Sequence, residues 1–217
     1  MKNLFALIAI NCLMMYGTST CVAQKSISDK DLNHYVSMMD TAESVTSWKT
    51  ISDQFAKLAT GNETNWLVQY HAAFAHSIYA MRITDMKERD NYLDKAMTYA
   101  EKSDNAKPKE SEVLVLKGMI TAMKISVDPK RGMEMGQESS QLVKQGNKLN
   151  PENPRAYLEM GESAMYIPEQ YGGGKKKSQA LLETSLAKYK TFKSDDINWP
   201  HWGEARAKLL LEKCKSL

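Results

Sequence analysis

A helix–turn–helix within residues 149–182 is the sequence feature that most constrains the fold. Asn153 is suited to cap a helix, and Pro154 is suited to its first turn, where the missing N–H is not needed. Pro168 ends the helical pattern, and the glycines of 172–174 permit backbone angles that other residues resist. A second helix follows from about Lys176. The segment therefore predicts two helices joined by a tight turn.

The same pattern of small and apolar residues occurs earlier in the chain. In the turn before the first helix of a pair and on that helix, Pro108, Leu114 and Gly118 match Pro151, Tyr157 and Gly161, each 43 residues later. On the preceding helix, Ala96, Ala100 and Ser103 match Ser139, Val143 and Gly146 at the same interval. Internal repeats of paired helices predict a solenoid.

These positions resemble the tetratricopeptide repeat (TPR), and the Gly-Gly-Gly-Lys turn resembles a loop of small exported bacterial TPR proteins. The interval of 43 residues is longer than the family's unit of about 34, because 126–132 lengthens one connection. The resemblance covers roughly 48–217. It implies an all-α, TPR-like superhelix of antiparallel helix pairs, with about nine helices after the signal peptide and a C-terminal capping helix.

Two local details accompany this prediction. Ser47 or Thr46 is expected to open the second helix. The capping helix is expected to turn one face inward and the opposite face to solvent. The inward residues are Trp202, Ala205, Leu209 and Leu210, and the outward residues are Glu204, Arg206 and Lys213.

The N-terminal 23 residues have the pattern of a secretory signal peptide. Lys2 precedes an apolar run over 4–16, which is shorter than the roughly 20 residues needed to span a bilayer. Small residues before position 24 predict cleavage after Ala23, a single TPR-like domain over 24–217, and a periplasmic or secreted protein. Membrane attachment is expected only if Cys21 carries a lipid.

Composition and motif searches argue against several functions. The formal net charge is only +3, and the one basic cluster, 175–177, has no interleaved aromatic residues, so nucleic-acid binding is not expected. His71 and His76 are five residues apart, which places them on different helix faces, so no metal site is predicted. Cys214 lacks a nearby histidine and is interpreted as a buried small hydrophobe. The sequence therefore predicts no enzyme and no cofactor.

The TPR resemblance implies a concave groove lined by the first helix of each pair. The corresponding positions are His71, Ile78, Tyr79, Val115, Met119, Met123, Arg155, Leu158, Glu162 and Tyr166. An apolar strip of this kind suits a helix or an extended peptide. The leading hypothesis is thus a non-enzymatic exported scaffold that binds a protein or peptide partner. The competing interpretation is that neighbouring elements cover the strip as core.

An alternative hypothesis is a small-ligand carrier or a transporter-accessory protein that uses the glycine-rich loop. Gly172, Gly173, Gly174 and Lys175 lead into a helix N-terminus, where free N–H groups and the helix dipole attract anions. The loop lacks the complete phosphate-binding motif. The favoured interpretation of the loop is a turn between helices that requires positive φ angles.

Overall fold

The computed structural model describes residues 27–216, and within this range the chain forms nine α-helices and no strand. The helices are α1 Asp29–Asp40, α2 Val45–Gly61, α3 Trp66–Ala80, α4 Met86–Ala106, α5 Ser111–Ile125, α6 Gly132–Leu149, α7 Pro154–Tyr166, α8 Lys175–Thr191 and α9 Glu204–Ser216. The predicted all-α superhelix of helix pairs is confirmed. The predicted signal peptide, 1–23, lies outside the described residues, and the single domain over 24–217 stays a prediction.

Side-chain caps fix where several helices begin. Asn153 accepts a hydrogen bond from the Arg155 N–H, as expected for the cap of α7. The second helix begins earlier than predicted, because Ser44 accepts from the Ser47 N–H and Val45 is already helical. Thr46 and Ser47 therefore lie inside α2 rather than at its cap.

The repeated small residues lie where the two helices of a pair touch. The Ser139 hydroxyl of α6 donates to the Gly118 carbonyl of α5 at 2.8 Å, and the Ser178 hydroxyl of α8 donates to the Gly161 carbonyl of α7 at 2.7 Å. A Cβ added at Gly118 would lie 2.5 Å from the Val143 side chain, and one at Gly161 would meet Leu182 at 2.9 Å. The repeat thus marks close helix crossings.

The capping helix α9 covers α7 and α8 through a face that differs from the predicted one. Its buried residues, Ala207, Leu210, Leu211 and Cys214, follow helical spacing. Ala205 and Leu209 are exposed, and Leu209 retains 70% of its accessible surface. Leu210 is buried as predicted, whereas the prediction for Ala205 and Leu209 was wrong because a helix that begins at Glu204 turns these two positions to solvent. Arg206, which was predicted to face outward, is half-buried and pairs with Glu162 of α7. Cys214 is buried, as interpreted from the sequence.

None of the helices within residues 27–216 is both long enough and apolar enough to cross a bilayer.

Candidate functional site: an aromatic cleft under a crossing segment

The connection between α8 and α9, residues 192–203, crosses the face formed by the first helices of the pairs, and we call it the crossing segment. At its α1 end, the Asn33 amide donates to the Ile197 carbonyl at 2.9 Å, and the Asn198 amide donates to the Asp29 carbonyl at 3.1 Å. The Asn198 carbonyl also lies 2.7 Å from His71 Nε2 of α3. The crossing segment therefore joins the two ends of the superhelix.

A buried ion pair supports the middle of the crossing segment. Arg155 of α7 donates to the Glu112 carboxylate of α5 at 3.0 Å and also to the Pro200 carbonyl. The guanidinium lies 5.2 Å from the Trp202 ring centroid and 5.7 Å from that of Tyr189. Burial lowers the pKa of Arg155, but Glu112, Tyr189 and Tyr70 together more than offset this, so the pKa stays above its ordinary value. Arg155 is thus a permanent cation that anchors the segment.

Aromatic side chains from α2, α3 and the crossing segment enclose a cleft. The Trp202 and Phe74 rings are stacked, with centroids 4.9 Å apart and planes inclined by 19°. Trp48 meets Phe74 edge-on at 6.3 Å, and the Trp202 indole N–H donates to the Tyr70 hydroxyl at 2.9 Å. The cavity has a volume of about 140 Å³. Its lining residues are Met39, Asp40, Trp48, His71, Phe74, His201 and Trp202, and we call it the aromatic cleft.

Two histidines line the aromatic cleft in different environments. His71 is buried, which lowers its pKa to about 4, so its ring is neutral at physiological pH. Its Nε2–H donates to the Asn198 carbonyl, while its buried Nδ1 finds no hydrogen-bond partner among the described residues. His201 lies exposed at the mouth, with Nε2 held 2.7 Å from Asp40 Oδ1. The Nε2 atom of each histidine is therefore engaged by the protein.

Arg82 lies beside the aromatic cleft without an acidic partner. Its guanidinium carbon is 5.0 Å from the Trp48 ring centroid, and its Nη1 donates to the Ile78 carbonyl at 3.0 Å. No carboxylate of residues 27–216 forms an ion pair with it.

The structure covers most of the groove implied by the TPR resemblance. Seven of the ten positions are buried: His71, Tyr79, Val115, Met119, Met123, Arg155 and Leu158. His71, Arg155 and Leu158 lie against the crossing segment or the start of α9. Ile78 and Glu162 are half-buried, and Tyr166 is 70% exposed. A partner can reach the seven buried positions only if the covering elements move. These positions therefore agree with the competing interpretation, in which neighbouring elements cover the strip as core.

The glycine-rich loop is a turn that closes α7. Gly172 and Gly174 have φ angles of 83° and 91°, which other residues rarely adopt. The Gly172, Gly173 and Gly174 N–H groups already donate to the carbonyls of Glu169, Pro168, Ala164 and Ile167. The glycine N–H groups are therefore used within the turn, while the anion site at the N-terminus of α8 stays a prediction. Lys175 begins α8 and is exposed.

Sequence reasoning missed the aromatic cleft, since Trp48, Phe74 and Trp202 are far apart in the chain. One signal was available: two tryptophans and a histidine within 199–202 lie outside the repeat. Large aromatic residues in a connection between helices indicate that the connection packs on something. The described residues also contain no group of three or more His, Cys, Asp or Glu side chains placed to hold a metal ion.

These features define an all-α superhelical protein with an internal aromatic cleft. No family model matches the chain, and no curated protein matches it. Among solved structures, it is similar to the HusA haemophore from Porphyromonas gingivalis, with 29% sequence identity and a TM-score of 0.78. The similarity covers 88% of this chain and 94% of that one.

Proposed function

We propose that this chain is a non-enzymatic, exported carrier of a planar tetrapyrrole, with haem as its first ligand to test. The observation that carries the proposal is the similarity to a haemophore over 94% of that chain, at 29% identity and a TM-score of 0.78. The proposal keeps the small-ligand carrier of the sequence analysis but moves its site from the glycine-rich loop to the aromatic cleft.

The chemistry of the aromatic cleft suits such a ligand. The Trp48, Phe74 and Trp202 rings present apolar faces and edges, and aromatic systems pack favourably on one another in offset or edge-on arrangements. Met39 adds a flexible, polarisable side chain at the same wall. Ligand sites of this class are mostly apolar, with a few polar groups that fix orientation. His71 and Asp40 supply polar atoms of that kind.

Binding requires the aromatic cleft to widen. Its volume is about 140 Å³, whereas ligand pockets usually measure about 300–1,000 Å³. The wall that can move is the crossing segment, because α2 and α3 belong to the packed core. We therefore propose that Trp202 shifts away from Phe74 and closes again on the bound ring.

The aromatic faces, rather than an iron ligand, supply most of the proposed affinity. His71 Nε2 is engaged by the Asn198 carbonyl, and His201 Nε2 is engaged by Asp40. Coordination of iron through either Nε2 atom would break one of these hydrogen bonds, whereas the His71 Nδ1, which has no partner among the described residues, is buried from solvent. Iron-free protoporphyrin is therefore expected to bind within about tenfold of haem, a difference of about 1.4 kcal/mol.

The test is a titration of chain 24–217 with haem and with protoporphyrin, followed by the Soret band and by quenching of tryptophan fluorescence. Trp202→Ala is expected to weaken binding by about tenfold or more, since it removes one wall of the cleft. Trp199→Phe is the control, because Trp199 belongs to the same segment but meets Trp66 edge-on at 5.3 Å and does not line the cleft. No saturable binding by the unaltered chain, or an equal loss in both variants, would count against the carrier.

A second candidate function is a protein-binding scaffold with TPR-like helix pairs. The observation in its favour is a set of exposed apolar side chains around the turn after α7: Tyr166 at 70%, Ile167 at 41% and Tyr171 at 75%. Exposed aromatic residues that lie close together are typical of protein contacts. A crosslinking pull-down from the native periplasm tests it. The candidate predicts one reproducible partner that is lost on Tyr166→Asp and retained on Leu209→Asp, which alters an exposed residue elsewhere.

A further inference from the structure

Arg82 is a cation that packs on Trp48, a lining residue of the aromatic cleft, although Arg82 itself does not line the cleft. It follows the end of α3, and its guanidinium packs over the Trp48 ring at 5.0 Å while Nη1 donates to the Ile78 carbonyl. The same Trp48 ring lines the cleft. Two contacts thus hold the guanidinium next to a surface that the proposed ligand would occupy.

The donors of Arg82 are largely unused. A guanidinium carries five N–H donors, and within the described part of the chain Arg82 makes a single hydrogen bond through them. By contrast, Lys49, which is next to Trp48 in the chain, pairs with Asp53 at 2.8 Å. Burial lowers the pKa of Arg82, and no acidic group counteracts it. The positive charge of Arg82 is therefore not neutralised by any carboxylate of residues 27–216.

We infer that Arg82 binds an ionised carboxylate on the planar ligand of the aromatic cleft, so that the cleft selects rings with acidic side chains over their neutral esters. This inference rests on the proposed carrier function. The planar guanidinium matches a carboxylate through two parallel hydrogen bonds, and stacking on Trp48 restricts its orientation. A lysine at this position would keep the charge but lose the two parallel N–H donors of the guanidinium.

The test compares haem with its dimethyl ester, which presents the same ring without ionisable groups. The unaltered chain is expected to bind haem about three- to tenfold more tightly than the ester, the range for a partly exposed charge-assisted contact. Arg82→Gln should lose this preference and bind the ester as the unaltered chain does. Arg82→Lys should retain part of it.

Arg89 provides the matched control. It also donates to a nearby carbonyl, that of Ile83, through Nε at 3.1 Å and Nη2 at 2.6 Å, but among the described residues no hydrogen bond or cation–π contact joins it to a residue that lines the cleft. Arg89→Gln removes the same charge from the first turn of α4, which follows Arg82 in the chain. It should keep the full preference for haem.

The outcomes separate this inference from the function on which it rests. Tight and equal binding of haem and ester by the unaltered chain overturns the role of Arg82 and leaves the carrier standing. An equal loss of preference in the Arg82 and Arg89 variants also overturns it, because general surface charge would then explain the selectivity. If the unaltered chain binds neither compound, the carrier function fails, and the inference fails with it.

Discussion

Replacement of Arg155 by methionine tests whether the crossing segment is anchored by a buried charge. The Arg155 and Glu112 side chains are only 2% and 1% exposed and lie 3.0 Å apart. Arg155 also donates to the Pro200 carbonyl, which is the contact that holds the segment at α7. Methionine fills a similar volume without charge, so the change leaves Glu112 buried without a partner.

The expected cost is large because solvent does not screen this pair. Loss of one member of a buried ion pair costs about 3–5 kcal/mol. The double variant Glu112→Leu, Arg155→Met removes both charges and should recover most of that loss, since apolar replacement of a whole buried pair is roughly neutral. Because either single change leaves a buried charge without a partner at a cost of about 3–5 kcal/mol, the coupling energy between the two positions should be at least about 6 kcal/mol in magnitude.

The Arg155→Met variant should also become sensitive to pH. Burial raises the pKa of the Glu112 carboxyl, and the loss of the Arg155 charge raises it further. A carboxyl whose folded pKa is raised stabilises the fold below its unfolded pKa, and this stabilisation is lost as the pH rises through the folded pKa. The penalty of Arg155→Met should thus be smaller in mild acid than at neutral pH.

Urea denaturation followed by circular dichroism measures these free energies of unfolding, with unchanged m-values as the check on the denatured state. Lys49→Ala is the control for a surface pair, because Lys49 and Asp53 are 46% and 50% exposed, and it should cost less than about 0.5 kcal/mol. A loss below about 1 kcal/mol for Arg155→Met, or a double variant as unstable as the sum of both singles, would refute the reasoning.

Three further predictions concern stability. Burial raises the pKa of Glu159 to about 7, so this carboxyl stabilises the fold below about pH 4.5 and loses that effect as the pH rises through about 7. Glu159→Gln should therefore gain about 2–3 kcal/mol over the unaltered chain across that window, measured by urea titrations at several pH values. Burial lowers the pKa of His76 to about 4, so its contribution is present above about pH 6.5 and is lost as the pH falls towards 4. His76→Gln should gain about 2 kcal/mol over the unaltered chain between those values, and a pH-independent difference would contradict this. Gly118→Ala should cost about 1–3 kcal/mol because its Cβ would lie 2.5 Å from Val143. Gly136→Ala, where nothing lies within 4 Å of the added Cβ, should stabilise α6 by about 0.5–1 kcal/mol. Thermal melts of both glycine variants measure these two effects.

The helices could be predicted because the signals that define them are local. Asn153 caps α7 through the N–H of the next residue but one, and the match between Gly118 and Gly161 reflects a contact that each helix pair makes for itself. Where the local signal was ambiguous, as among Ser44, Thr46 and Ser47, the predicted boundary moved by two or three residues. Such differences do not alter which elements pack together.

The aromatic cleft could not be predicted because its walls meet only through long-range contacts. The His71–Asn198 hydrogen bond spans 127 residues of sequence, and the Trp202–Tyr70 hydrogen bond spans 132. The repeat pattern contains no information about residues 192–203, which belong to no repeat. The TPR resemblance predicted that His71 and Arg155 line an open groove, whereas in the structure both side chains are buried against the crossing segment.

The crossing segment also changes how such a protein should respond to a ligand. In a simple solenoid each repeat contacts only its neighbours, so the ends unfold nearly independently. Here Asn198 and His201 tie α1 to a segment that continues into α9. Widening the aromatic cleft by movement of this segment would weaken some of those contacts, and the observed affinity is then the intrinsic affinity reduced by the fraction of molecules that are open. His201→Ala breaks the exposed contact with Asp40 without removing an aromatic wall, so it should speed ligand association. Trp202→Ala should weaken ligand binding by the same factor whether or not His201 is also replaced. Slower association in that variant would mean that the segment does not open for the ligand to enter.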